Sequence, residues 1–548
     1  MDETQNNLSH HAPSPVHPVA RRIVQWLTGS RPVTWNRSGA WYLRLLGLIY
    51  LAAFISLWVQ VDGLIGSQGI LPVQRYLAEA RAQLGDGWWW QAPTLCWINA
   101  SDGFLAFQCA AGVVLAIFAT LGIAQLPAFA LLWLLYLSLT VASQTFLGYQ
   151  WDGLLLEAGL LAIFLAPIQW FAWKPRWAQP PIVVMWLQRW LIFRLMLLSG
   201  FVKLASGDPN WRNLTALTYH YWTQPIPTWT SYYASHWPLG FQKFSAVGMF
   251  VVELGMPLLM FGPRRLRTLA AIGVIAFQLL ILATGNYGFF NLLAIALCVP
   301  LLDDSTLPRL WPRDTTAVSR MAQRVRVRTW PLKWPRRRSG AVEQLENRCK
   351  NARLWVTGVL AAVIVMATGT EFARRCGLSA WVPRPVEFVA ECLSPLRSTN
   401  SYGLFAVMTT ERPELIFEGS NDRVAWAEYR FKWKAGDLNK RPTFCAPHLP
   451  RLDWQLWFAG LDPQGNTPVI EGLVRGILRG SKPVMALMDG DPFAGHPPRY
   501  VRVKLYQYRF TSAPDGSRTG DWWERTDTGQ QTEAYTIGSV PASDSSGD

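Results

Sequence analysis

The chain has 548 residues, half of them apolar, with thirty tryptophans and a formal net charge of +15. The apolar residues are gathered into blocks of about twenty between positions 41 and 369, which excludes a string of soluble globular domains and implies a polytopic membrane protein. The basic surplus falls in loops beside those blocks, so it marks membrane topology and excludes nucleic acid as the partner.

In chain order, 1–40 reads as a cytoplasmic N-terminal segment without the short apolar core of a signal peptide. About nine spans follow, at 41–59, 103–123, 126–143, 153–171, 185–204, 245–262, 268–285, 287–302 and 354–370. The second and third lie close together, as do the seventh and eighth, so either pair could be a shorter re-entrant element. The first eight form a helical bundle over 41–302, and the last is isolated at 354–370 beyond a basic loop, 303–353, that contains thirteen Lys and Arg. With the N-terminus inside, Arg21, Arg22, Arg31, Arg37, Lys174, Arg176, Arg264, Arg265 and Arg267 share the cytoplasmic side with that loop. The large opposite loops, 60–102 and 205–244, contain only Arg75, Arg81, Arg212 and Lys243. The asymmetry places the C-terminal part outside the cytoplasm.

Beyond the last span the period becomes two. Glu428–Lys434 alternates aromatic and charged residues, Gly419–Asp422 supplies a turn after Glu414–Glu418, and Tyr500–Thr511 forms a second strong strand. In that strand Val501, Val503 and Leu505 occupy one parity and Tyr506, Tyr508 and Phe510 the other, which requires a bulge or two covered faces. Helices are expected near 452–460 and 468–479. The fold class is therefore mainly α: a helical membrane bundle followed by a β-rich, sandwich-like extracytoplasmic domain over 371–511, then a polar flexible tail, 512–548. Cys96, Cys376, Cys392 and Cys445 fall on the outer side, where a Cys376–Cys392 bridge and free thiols are both open readings. There is no metal-ligand spacing, Walker loop, Gly-x-Ser-x-Gly or His-Glu-x-x-His, and no cofactor is expected.

Charges inside apolar spans are costly and mark working or paired positions. Span five, running outward, carries Arg189 near its inner end, Arg194 near mid-membrane and Lys203 near its outer end. Arg189 has reach to the cytoplasmic headgroups. Asp152 and Glu157 on span four, and Glu253 on span six, lie at compatible depths. Asn286, Tyr287 and Asn291 occupy the turn between spans seven and eight, below a loop that holds Trp211, His220, Tyr221, Trp222 and Gln224. Ion pairing of Arg194 with Glu157 or Glu253 is the economical arrangement. The alternatives are a ligand or catalytic role for Arg194, and for Lys203 a snorkelling position at the end of its helix.

Gln150–Gly159, Leu165-Ala166-Pro167, Gly207-Asp208-Pro209, Tyr219-His220-Tyr221, Thr223-Gln224-Pro225 and Thr284-Gly285-Asn286-Tyr287 resemble the lipase maturation factor family. So do Tyr402-Gly403-Leu404-Phe405, Arg412-Pro413-Glu414, Pro450–Gln455 and Pro497–Val501. The resemblance implies a membrane protein that helps an exported client fold and assemble, with lipases as the implied clients and membrane lipids as surroundings. The expected location is a bacterial inner membrane with the C-terminal domain in the periplasm, or the endoplasmic-reticulum membrane in a eukaryote. A shorter segment, Ser199-Gly200-Phe201-Val202-Lys203-Leu204 with Trp211, resembles vitamin K-dependent γ-carboxylases and their horizontally transferred transmembrane relatives. That likeness implies the alternative function: an intramembrane enzyme on a lipophilic or quinone-like substrate, with Lys203 as base and Arg194, Glu157 and His220 in support. A nonenzymatic assembly factor is the leading expectation. A transporter is disfavoured, because no inverted repeat is evident.

Overall fold

The computed structural model describes residues 26–27, 33–172, 180–307 and 340–539. Helices dominate: α1 (Asn36–Trp58), α2 (Asp102–Leu121), α3 (Gln125–Ala142), α4 (Gln150–Leu165) and α5 (Ile182–Ala205). Next, α6 (Leu239–Phe250) passes through a π-helical turn, Val251–Gly255, into α7 (Met256–Leu259). Then come α8 (Arg264–Thr284), α9 (Phe290–Cys298) and the long α10 (Gly340–Arg375). Local chemistry sets the ends. The Ser101 hydroxyl accepts the Phe104 N–H at the start of α2, and Gly122 closes it in the left-handed conformation, φ 78°. Pro167 holds Ala166 extended (ψ 141°) and ends α4. The first turn of α1 is capped from far along the chain, by the Asp304 carboxylate, which accepts the N–H groups of Asn36, Arg37 and Ser38 at 2.8–3.2 Å.

Among the described residues, six helices are long and apolar enough to cross a membrane: α1, α2, α3, α5, α8 and Trp355–Arg375 of α10. The other three expected spans are shorter or interrupted. Residues 153–171 reduce to the 16-residue α4, 245–262 contains the π turn, and 287–302 corresponds to the short apolar helix Phe290–Leu301. The basic stretch 308–339 lies outside the described residues.

The C-terminal part holds one four-stranded antiparallel sheet in the order β2-β1-β3-β4, with β1 Pro413–Ser420, β2 Ala427–Tyr429, β3 Tyr500–Phe510 and β4 Trp523–Gln531. The expected sandwich is corrected to this single sheet among the described residues, because other elements cover its faces. Leu415, Phe417, Val501 and Val503 join the main core, while Ile416, Tyr506, Tyr508, Phe510 and Trp523 form a second cluster with Tyr232 of the short helix Trp229–Ser235. The parity change in β3 thus has both expected causes, two covered faces and a register shift against β4 between Lys504 and Tyr506. The strand expected over 428–434 stops at Tyr429. The N–H groups of Trp433 and Lys434 turn to the Asp453 carboxylate at 2.8 and 3.0 Å instead of a neighbouring strand.

The flexible tail expected over 512–548 is also corrected over 512–531, while 540–548 lie outside the described residues. Ser512 caps a short helix, Gly520 turns the chain at φ 79°, and β4 returns with a buried Trp523 whose ring lies 4.4 Å from that of Phe510. The helices expected near 452–460 and 468–479 are α12 (Arg451–Leu461) and α13 (Thr467–Leu478), and α11 (Arg384–Leu393) precedes the sheet. Cys96, Cys376, Cys392 and Cys445 are free thiols.

The main apolar core runs through both parts, uniting Tyr50, Phe54, Leu155 and Phe290 of the bundle with Leu449, Leu452, Leu473 and Val501 of the C-terminal part. The β-rich part expected over 371–511 thus shares its core with the bundle.

Candidate functional site

Most of the charged side chains singled out in the sequence are buried at the seam between bundle and C-terminal part. Each pairs with an opposite charge.

Arg194 and Glu157, each with side-chain exposure of 1%, form an ion pair between α5 and α4. The segment that follows α10 completes it. Arg194 Nη1 donates to the Asn400 carbonyl (2.8 Å), and the Tyr402 hydroxyl donates to Glu157 Oε2 (2.7 Å). Asn400 also donates to the Gly153 carbonyl at 3.1 Å. A Cβ on Gly153 would stand 2.8 Å from Asn400 Oδ1, so a larger residue there would push the segment away. The matched Tyr402–Phe405 run is therefore a plug seated against the bundle. The Trp211 indole N–H holds the Phe405 carbonyl (2.9 Å), and Asp208 accepts the Met408 N–H (2.6 Å).

Lys203 pairs with Glu253. Its ammonium donates to both carboxylate oxygens (3.0 and 2.9 Å) and to the Ser199 carbonyl (2.9 Å), and lies 5.4 Å from the Trp211 ring. The geometry follows from two local features. The π turn in the helix carries Glu253, and Gly200 leaves the space it occupies, since a Cβ there would lie 2.9 Å from Glu253 Cβ. All three ammonium hydrogens have acceptors. That is the arrangement of a paired cation, whereas a base needs a lone pair turned toward a substrate.

Asp152 was singled out without a partner. Its carboxylate accepts two hydrogen bonds from Arg451 of α12, at 2.6 and 2.7 Å, and one from the Tyr136 hydroxyl at 2.6 Å. Gln224, Tyr287 and His220 form a chain: Tyr287 donates to Gln224 Oε1 (3.0 Å) and lies 3.3 Å from His220 Nε2. Asn286 bridges to the C-terminal part, donating to the Thr443 carbonyl and accepting from the Cys445 N–H, both at 2.8 Å. Asn291 is not brought to this seam. It donates to Gln278 Oε1 (2.8 Å) inside the bundle.

Sequence reasoning missed the C-terminal halves of these pairs. Besides Arg451, Tyr402 and Asn400, they include Arg412, which bonds the carbonyls of Trp222, Gln224 and Pro225 and pairs with Glu414, itself paired with Lys434. Their signal was present, since Arg412-Pro413-Glu414 and Pro450–Gln455 stood among the family-like strings with charges set in apolar surroundings.

Two histidines at the seam give it a pH dependence. Burial, then the nearby Lys203, pushes His220 down to about 4. Burial, then Arg451 and Lys432, does the same to His448, whose ring contacts the Ser56 hydroxyl of α1 at 3.0 Å. A histidine with a depressed folded-state pKa takes up its proton more readily when unfolded. Stability is therefore intact above about 6.5 and is lost as pH falls from there toward 4. Thermal midpoints at pH 7.5 and 5 should differ less in His448→Gln than in the unmodified protein. An equal drop in both would remove His448 from this account.

Residues 37–309 match the family model for the lipase maturation factor transmembrane domain, and residues 398–533 match that for the lipase maturation factor C-terminal domain. Lipase maturation factor 2 of Xenopus tropicalis is 36% identical over 568 residues, covering 87% of this chain and 79% of that protein. The Homo sapiens lipase maturation factor 2 is 34% identical over 578 residues, with 88% and 80% covered. Lipase maturation factor 1 of Bos taurus is 33% identical over 508 residues, with 88% and 86% covered. No solved structure matches the chain. The two family models meet across the seam just described, and with its membrane-crossing helices this chain is an integral membrane protein that belongs to the lipase maturation factor family.

Proposed function

We propose that this protein assists the maturation of an exported lipase by presenting a surface of its C-terminal part, held rigidly on the membrane bundle. The supporting observation is the seam itself. Buried pairs between Arg451 and Asp152, and between the 400–402 segment and the Arg194–Glu157 pair, lock the two parts into one body. A mobile tether would not need them. Lys203 is occupied by Glu253 and the Ser199 carbonyl, which favours assembly over the reading of Lys203 as a base, and the lipase is the client that the relatives' names supply.

In the topology that goes with this reading, the shorter helices α4 and α9 and the interrupted α6–α7 also cross, giving nine crossings. The C-terminal part then lies on the side opposite the arginine-rich 303–353 segment, in contact with exported proteins. A phosphatase fused at Asp548 should be active, and one fused at Arg338 inactive. The function is tested by expressing the chain with a secreted lipase in cells lacking their own maturation factor. Lipase activity per unit of lipase protein should rise several-fold, and an unchanged specific activity would refute the assignment.

A further inference from the structure

At the opposite end of the bundle from the seam, the second turn of α5 meets the start of α1. There Arg189 is 2% exposed, and neither its Nε nor its Nη2 has a hydrogen-bond partner among the described residues. Its guanidinium lies 4.9 Å from the Trp35 ring and 5.4 Å from that of Trp186. Stacking of this kind favours the charge but offers the N–H groups no acceptor. A second guanidinium, that of Arg267, lies 5.8 Å from the same Trp35 ring.

Among the described residues, the carboxylates of this end, Asp303 and Asp304, are already engaged. Asp303 accepts from Arg264 (2.6 Å), Arg267 (3.4 Å) and Ser305, while Asp304 caps α1 and accepts from the Thr34 hydroxyl. Other orphans gather at this junction of α1 and α5. Trp35 Nε1, Ser38 Oγ and Gln188 Nε2 are buried without partners, and Gln188 faces α1, because its Oε1 accepts from Tyr42. Of the unpartnered groups here among the described residues, only Asn36 Oδ1 is purely an acceptor. Water could satisfy the donors, but it supplies no charge to offset a buried guanidinium.

We propose that this junction of α1 and α5 binds a phosphate group, with Arg189 as its principal charge and the Trp35 indole N–H as a further donor. Excess donors, a planar guanidinium and a second cation nearby suit a tetrahedral oxyanion. Such a group has two sources, the phosphodiester of an anionic lipid or free phosphate.

The test uses the purified full-length protein in neutral detergent. Its thermal midpoint is followed on adding phosphatidylglycerol, phosphatidylcholine of matched chains, or millimolar inorganic phosphate. A rise with phosphatidylglycerol alone identifies a lipid headgroup site. A rise with inorganic phosphate as well identifies a site open to the free anion, and either result supports the proposal. Arg189→Gln should weaken the response by about tenfold in apparent affinity. Trp35→Phe keeps the ring face and removes only the N–H. It should weaken the response more modestly, and it decides the matter if Arg189→Gln does not fold. The proposal is overturned if the unmodified protein responds to neither phosphatidylglycerol nor phosphate, or if the folded variants respond as it does.

Discussion

Arg194→Met should lower the stability of the whole chain by about 3–5 kcal/mol, because it strands the Glu157 carboxylate in a site with 1% side-chain exposure. The loss should spread beyond the bundle. Arg194 also holds the Asn400 carbonyl, and Glu157 holds the Tyr402 hydroxyl, so the plug that follows α10 should loosen and become open to protease. Tyr402→Phe removes one hydrogen bond to a carboxylate and should cost only about 1.5–3 kcal/mol. Replacing both Arg194 and Glu157 with apolar residues of similar volume should be less harmful than Arg194→Met alone, since no charge is left unpaired. Denaturation at fixed detergent concentration and limited proteolysis give both readouts. An Arg194→Met protein as stable as the original would mean that the pair carries no such weight.

The second large effect is expected at Lys203, where pairing and chemistry part company. The Glu253 carboxylate lies within 3.0 Å of the ammonium on both oxygens, so charge should matter more than side-chain shape. Lys203→Arg is therefore expected to keep most of the stability and lipase-maturing activity. Lys203→Ala should lose about 3–5 kcal/mol by leaving Glu253 buried and alone. Removing Glu253 as well should restore part of that loss. A base would behave differently, because guanidinium does not give up its proton at accessible pH. A folded, membrane-inserted Lys203→Arg with no activity would revive the enzymatic reading.

The residues differ in how much of this was legible. Arg194 and Glu157 could be read directly, since charges within apolar runs need partners and the charge pattern of the loops set their depths. The length of α4 could not. Its apolar run continues through Ile168, Trp170 and Phe171, but Pro167 stops the helix at Leu165. The π turn at Val251–Gly255 has no sequence period that marks it, yet it carries Glu253. Asp152 was found and its partner was not, because Arg451 lies 299 residues away in the part read as an extracytoplasmic domain. The Gly520 turn into β4 was hidden by polar composition: a sheet-edge strand has little apolar patterning beyond Trp523. Asn291 was grouped by depth with the outer loop, but its side chain points to Gln278.

A double-mutant cycle on Asp152 and Arg451 tests the locked seam most directly, because the pair joins the family's transmembrane and C-terminal regions through two hydrogen bonds of 2.6 and 2.7 Å. Asp152→Asn, Arg451→Gln and the double variant are to be denatured as full-length proteins in the same detergent. A coupling energy of about 2 kcal/mol or more is expected for residues in such contact, with lipase maturation falling in step with stability. Additive effects, with a coupling energy near zero, would mean that the C-terminal part is tethered to the bundle rather than locked to it.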